Sequence, residues 1–232
     1  MDKTTKRRDD VKILLAYFAG YMVGMTALSY VLEQFAAISS TSVLGLIINA
    51  VASVLLLGYI VMKKRAELAA AWRTARQAPG KNSWFVVKYF LFAYLATMPV
   101  ALLLAALQVT NQNQMALVGL FGGALWYAVF MAVVFGPIVE EVVFRGVIFA
   151  RLLQKSRVLA YAASMVLFAL VHVAPYMLTG EVKNGLAIMS YLPLAFFLCR
   201  AYEQKKSLYA SMGVHLLQNS LATILLVLAT HG

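Results

Sequence analysis

An all-α, polytopic bundle of about seven transmembrane helices is the fold this sequence predicts, on three observations. Hydrophobic residues make up 62% of the chain and charged residues 12%, roughly half the share of about 25% expected of a soluble domain. Apolar runs of about 20 residues, the length that crosses a bilayer, recur from one end to the other and leave no soluble domain over. The basic residues gather in alternate connections, as the positive-inside rule requires.

The spans are read in order as 11–32, 43–62, 84–107, 115–149, 158–176, 185–199 and 207–230. The first follows basic residues, as a signal peptide would. Its apolar run is too long and lacks a small-residue cleavage site, so a retained span is expected. The fourth is too long for one crossing, and Gly122-Gly123 is expected to break it into a short lead-in and a long helix. The sixth is short and holds Pro193. An eighth crossing would have to come from one of these two places. Between the second and third spans lies KKRAELAAAWRTARQAPGKNS, residues 63–83. Leu68, Trp72 and Ala75 share a face there, the arginines lie elsewhere, and Pro79-Gly80 stops the pattern, so a basic amphipathic helix on the inner surface is expected. The chain is thus divided into 1–62 with two spans, the segment 63–83, and 84–232 with five spans. Gly20 and Gly24 form a GxxxG pattern that suits close packing within the protein or dimerisation alike.

With the N-terminus inside, 19 of the 20 Lys and Arg residues fall in cytoplasmic segments or their helix ends, and only Lys183 falls in an outer loop. The net charge of +11 therefore reports topology and contact with anionic headgroups of the lipid bilayer, not nucleic acid. The C-terminus is expected outside. The single cysteine, Cys199, excludes an internal disulfide and a cysteine-based metal site.

Of nine acidic residues, only Glu140 and Glu141 stand within an apolar span, joined there by Arg145. An ionised group at the centre of a membrane helix costs about 2.5–3.5 kcal/mol on insertion scales. Glu141 precedes Arg145 by four, the favourable order for a pair on one face, while Glu140 lies about 100° around the helix. One glutamate is held and the other left for chemistry, unless a small rotation exchanges them. His172 and His215 also lie within spans, each with a partner one turn away: Phe168 before the first and Asn219 after the second. Phe168 by itself is ordinary packing. Counted from the cytoplasmic helix ends, Glu140 lies about 16 Å deep, His172 about 21 Å and His215 about 12 Å. Three helices thus bring their unusual residues to one layer about 10 Å thick, on the inner to middle part of the membrane.

Several chemistries are absent. There is no HExxH, Walker loop or GxSxG elbow. Ser164, Ser190 and Ser211 lack a Ser–His–Asp context, and no aspartate follows Asp10, which excludes an aspartyl dyad. Carboxylate, imidazole and amide remain, a set suited to water attack on a carbonyl. Glutamate would be the general base, and an imidazole N–H or the Asn219 amide would meet the oxyanion. Alternatively Glu140, His172 and His215 would hold a divalent ion such as zinc with an open water position.

The ordered set EEVVFR, FALVH and HLLQN resembles the EExxxR, FxxxH and HxxxN motifs of the CAAX-type prenyl protease and bacteriocin-processing (CPBP, or Abi) intramembrane protease family, from Gly136 to about Thr223. The resemblance implies an intramembrane endopeptidase with Glu140, His172, His215 and Asn219 around the water and scissile carbonyl, supported by Glu141 and Arg145. It leaves metal use open, and does not imply a prenylated substrate. The N-terminal architecture resembles the bacterial branch, which implies a bacterial cytoplasmic membrane and a part in peptide maturation, peptide export or self-immunity to bacteriocins. With the depth of the residues, a peptide or protein substrate cut near the cytoplasmic face is expected. Two other readings compete: a membrane scaffold or bacteriocin immunity factor without proteolysis, and a proton-coupled transporter. The latter is disfavoured because no pair of repeated, interrupted helices is visible. Oligomeric state is not encoded in any feature of the sequence.

Overall fold

A computed structural model describes residues 3–177 and 185–231. The positions expected for Lys183 and Glu181 lie outside the described residues. Among those described the chain is helical with no strand, and seven helices are long and apolar enough to cross a membrane. Two compact units are formed, Met1–Arg65 and Ala66–Gly232.

In the N-terminal unit, α1 (Thr4–Ala36) ends where Ala37 turns left-handed at φ 52°. After a short serine-rich turn α2 (Val43–Gln77) begins. Two adjacent ion pairs join the helices at one end: Lys63 Nζ lies 3.1 Å from Asp9 and Lys64 Nζ 2.6 Å from Asp10. The second pair is almost completely buried, so these aspartates are structural partners and not tail charges. Further along, the Tyr21 hydroxyl meets Ser53 Oγ at 2.8 Å. Within this unit no other helix approaches the Cβ positions at Gly20 and Gly24, which meet only their own helix backbone. Close packing inside the unit is therefore not what the GxxxG pattern serves.

The basic segment after residue 62 does not form a helix of its own. It continues α2 without a break for 35 residues in all, because nothing from Lys63 to Gln77 disfavours helix. The stop comes where expected: Pro79 opens α3 (Pro79–Ala106) in the first turn, where its missing N–H has no cost.

In the second unit, α4 (Gln112–Gly119) is capped by Asn111, whose Oδ1 accepts from Gln114 N at 3.2 Å. A turn at Leu120–Gly123 precedes α5 (Leu125–Leu153), so the long fourth segment is broken at Gly122-Gly123. α6 spans Arg157–Met177. A 3₁₀ turn, Leu186–Ser190, leads into α7 (Leu192–Lys205), which runs further than the sequence suggests. Pro193 lies at the start of α7 and causes no interior kink. Last comes α8 (Leu208–His231).

The central helix is α5: 56% of its apolar window is buried, against 33% or less for the other spans. Its neighbours are held at both ends. At the basic end, Asn82 donates to Thr74 O at 2.8 Å and accepts from Tyr209 at 2.9 Å and Lys205 at 3.3 Å. Glu203 there accepts from Arg157, Tyr161 and Arg200 at 2.7–3.0 Å. At the opposite end, Asn111 joins Ser190 and Tyr191.

Candidate active site

The winding of α5 changes at the two glutamates. Glu140 closes an α-helical turn that begins at Gly136, and from Glu141 to Phe149 the backbone widens to π-type hydrogen bonding. Such widenings often accompany functional positions. Glu141 and Arg145 nevertheless stay on one face, at 2.8 Å, and neither side chain is exposed at all.

Glu141 is engaged through one oxygen, its Oε2 being buried without a hydrogen-bond partner. Its Oε1 accepts from Arg145 and also from His215 Nδ1 at 3.0 Å, tying α5 to α8. Arg145 reaches further, donating to Ala195 O on α7 at 3.2 Å and lying 4.5 Å above the Phe168 ring of α6. The Glu141–Arg145 pair therefore clamps four helices, which offsets the desolvation of a buried ion pair.

Glu140 is placed differently. Its Oε2 is buried without a hydrogen-bond partner in the protein and faces His172 Nε2 at 3.7 Å and His215 Nε2 at 3.9 Å. The tautomers follow from the opposite nitrogens. His172 Nδ1 sits 2.7 Å from the Phe168 carbonyl, which can only accept, so this nitrogen carries the proton. His215 Nδ1 likewise donates to the Glu141 carboxylate. In their neutral form both rings thus turn an Nε2 lone pair toward Glu140.

Asn219 has a partner of its own, its Nδ2 donating to Ala132 O on α5 at 2.8 Å. One of its two amide hydrogens is thereby used.

Two imidazoles with oriented tautomers and a carboxylate are donor types that suit zinc. Their spacing is wide, since ligands about 2.1 Å from a tetrahedral ion lie about 3.4 Å apart. No group of three or more His, Cys, Asp or Glu among the described residues closes to metal-holding geometry. The set as arranged does not fit a metal cage.

Two residues support the imidazoles, one read from the sequence as ordinary packing and one that escaped that reading. The Phe168 ring packs 4.7 Å from His172 and 5.6 Å from His215, so it is the shared wall of both imidazoles. Tyr191 stacks on the other side of His172 at 4.4 Å and 28°, and its hydroxyl donates to Asn111 at 2.9 Å. FxxxH spacing points to the first; no periodicity points to the second, because it lies in an irregular turn.

A family model described as type II CAAX prenyl endopeptidase Rce1-like matches residues 122–221. No curated protein and no solved structure matches the chain. The matched segment contains all of α5 to α7, the greater part of α8, and all six charged or polar residues singled out above. Over these residues the chain is similar to the CPBP family of CAAX-type intramembrane proteases, and its seven apolar helices make it an integral membrane protein.

Proposed function

We propose that the protein is an intramembrane endopeptidase in which Glu140 activates water against a peptide bond. The observation that carries this reading is the unpartnered Glu140 Oε2 facing two imidazole lone pairs. A water there donates one hydrogen to Glu140 and the other to an Nε2, which aims its oxygen lone pair outward at the carbonyl carbon. Glu140 takes the proton as the C–O bond forms and returns it to the departing amine nitrogen as the C–N bond breaks. General-base assistance of this kind contributes about 10²–10⁴-fold. The remaining Nδ2 hydrogen of Asn219 is the donor assigned to the oxyanion, worth about 10²–10³-fold when well placed.

The substrate is a peptide or protein. Comparing membrane and secreted peptides from cells carrying wild-type protein or Glu140→Gln, at matched expression, tests the assignment. A defined peptide terminus that vanishes in the variant while its precursor accumulates is the expected result. Unchanged peptides, together with full rescue of a deletion phenotype by Glu140→Gln, would make the protein a scaffold instead.

A further inference from the structure

His215, Asn219 and Thr223 follow one another at a spacing of four on α8, so their side chains form one ridge along the helix. α8 runs beside α5 here: His215 meets Glu141 and Asn219 meets Ala132 O, both on α5. Thr223 is 5% exposed, and its hydroxyl oxygen is buried without a hydrogen-bond partner among the described residues. Other threonines within helices behave differently. Thr26, Thr74, Thr97 and Thr230 each donate to the carbonyl four residues before them, at 2.7–3.0 Å, the local bond by which a helix satisfies a threonine. Thr223 has the same option in Asn219 O and does not use it. A buried hydroxyl left without a partner is destabilising, so the position calls for one.

Asn219 has matching capacity to spare. Ala132 O can only accept, so Nδ2 faces it and Oδ1 faces away. Among the described residues Oδ1 accepts from nothing. A helical side chain leans over the turn that precedes it, which carries Thr223 toward Asn219. We infer that a single water joins the two: Thr223 Oγ1–H donates to the water, and the water donates to Asn219 Oδ1. Polar groups that do not bond directly are commonly joined this way. Thr223 is then a positioning residue. With Nδ2 held by Ala132 O and Oδ1 held by the water, the carboxamide plane cannot turn, and its second Nδ2 hydrogen keeps one direction. That this hydrogen meets the oxyanion rests on the proteolytic reading; the water bridge does not. Gln218 carries another buried, unpartnered oxygen on α8, but it lies about 140° around the helix from Thr223, off the ridge.

Thr223→Val deletes the hydroxyl and keeps the shape, and Thr223→Ala deletes it without a new methyl. Both are compared with wild type and Thr223→Ser as full chains in proteoliposomes, on one internally quenched peptide chosen from a pool by its cleavage. In Thr223→Val and Thr223→Ala, kcat should fall about tenfold with KM little changed, as for a misoriented oxyanion donor. Thr223→Ser should keep most of the wild-type kcat. The bridge is also read without cleavage, in Glu140→Gln protein carrying nitrogen-15 asparagine. Magnetisation transfer from water to the Asn219 side-chain amide should weaken about twofold or more when Thr223→Val is added, because the ordered water is lost. Unchanged water transfer overturns the inference, as does wild-type kcat in both hydroxyl-free variants or an equal loss in Thr223→Ser. Failure of the proteolytic reading looks different: the Glu140→Gln protein cleaves like wild type, while the water transfer still responds to Thr223→Val.

Discussion

Glu141 and His215 meet at 3.0 Å across 74 positions of chain, and the oxygen that accepts from the imidazole also accepts from Arg145. One carboxylate thus orients a histidine and neutralises an arginine. Its neighbour Glu140, one step around the helix, is left facing both Nε2 atoms. Two adjacent identical residues have different surroundings because each meets a different set of helices, and the proposed mechanism divides them into a structural and a chemical role.

This division predicts opposite outcomes for two matched substitutions. Glu140→Gln is expected to abolish cleavage, a loss of about 10²-fold or more, with little change in thermal unfolding in detergent. Glu141→Gln should lower stability by about 3–5 kcal/mol, because it leaves Arg145 buried and uncompensated. Unfolding curves of the two purified variants distinguish them, and equal destabilisation by both would contradict the division.

Arg145→Lys keeps the charge but not the geometry. A lysine has a point-like ammonium in place of the planar fork. It cannot serve Glu141 and Ala195 O together while covering Phe168. A loss of about 1–3 kcal/mol is expected, the cost of leaving one buried polar group unsatisfied. A variant as stable as wild type would show that the four-helix clamp is not needed.

Tyr191 stacks on His172 and is held in turn by Asn111, so in the proposed mechanism both are positioning residues. Tyr191→Phe keeps the stacked ring and loses only the hydroxyl bond, so most of the cleavage rate should remain. Tyr191→Ala frees one face of the imidazole, and kcat should fall about tenfold or more with KM little changed, as for a misoriented group. Nitrogen-15 spectra of labelled histidine should show His172 losing its single tautomer in Tyr191→Ala. An unchanged His172 signal would remove Tyr191 from this role.

Gly213 sets the approach of α8 to α3. A Cβ there would stand 2.9 Å from Val86 Cγ1, so Gly213→Ala is expected to cost about 1–3 kcal/mol through overpacking. Val86→Ala should recover part of that loss when combined with it, a coupling that a double-mutant cycle measures. Strict additivity of the two changes would refute the contact.

Much of the fold was legible because a bilayer leaves the chain few choices. Backbone groups in hydrocarbon must be bonded within their own segment, so apolar runs of spanning length imply helices, and Gly122-Gly123 marks a break wherever the long helix packs. The segment from Lys63 to Gln77 was less legible. Charge alternation describes a helix face equally well whether the helix lies separately or prolongs the one before it, and the structure prolongs it. Pro193 was ambiguous for a related reason, since proline marks a helix start or an interior kink and only the position of the start decides.

The sequence by itself determined which residues have no business in hydrocarbon: Glu140, Glu141, Arg145, His172, His215 and Asn219. It also paired Glu141 with Arg145, because that contact is local and helical periodicity prescribes it. Only the tertiary structure decided what crosses between helices. Examples are His215 on Glu141, the arginine on Ala195 O and Phe168, Tyr191 against His172, and Asn219 turned to Ala132 O. Those contacts depend on the rotation and offset of each helix against its neighbours. Rotation and offset come from side chains interlocking over whole helix faces, a property no single motif contains.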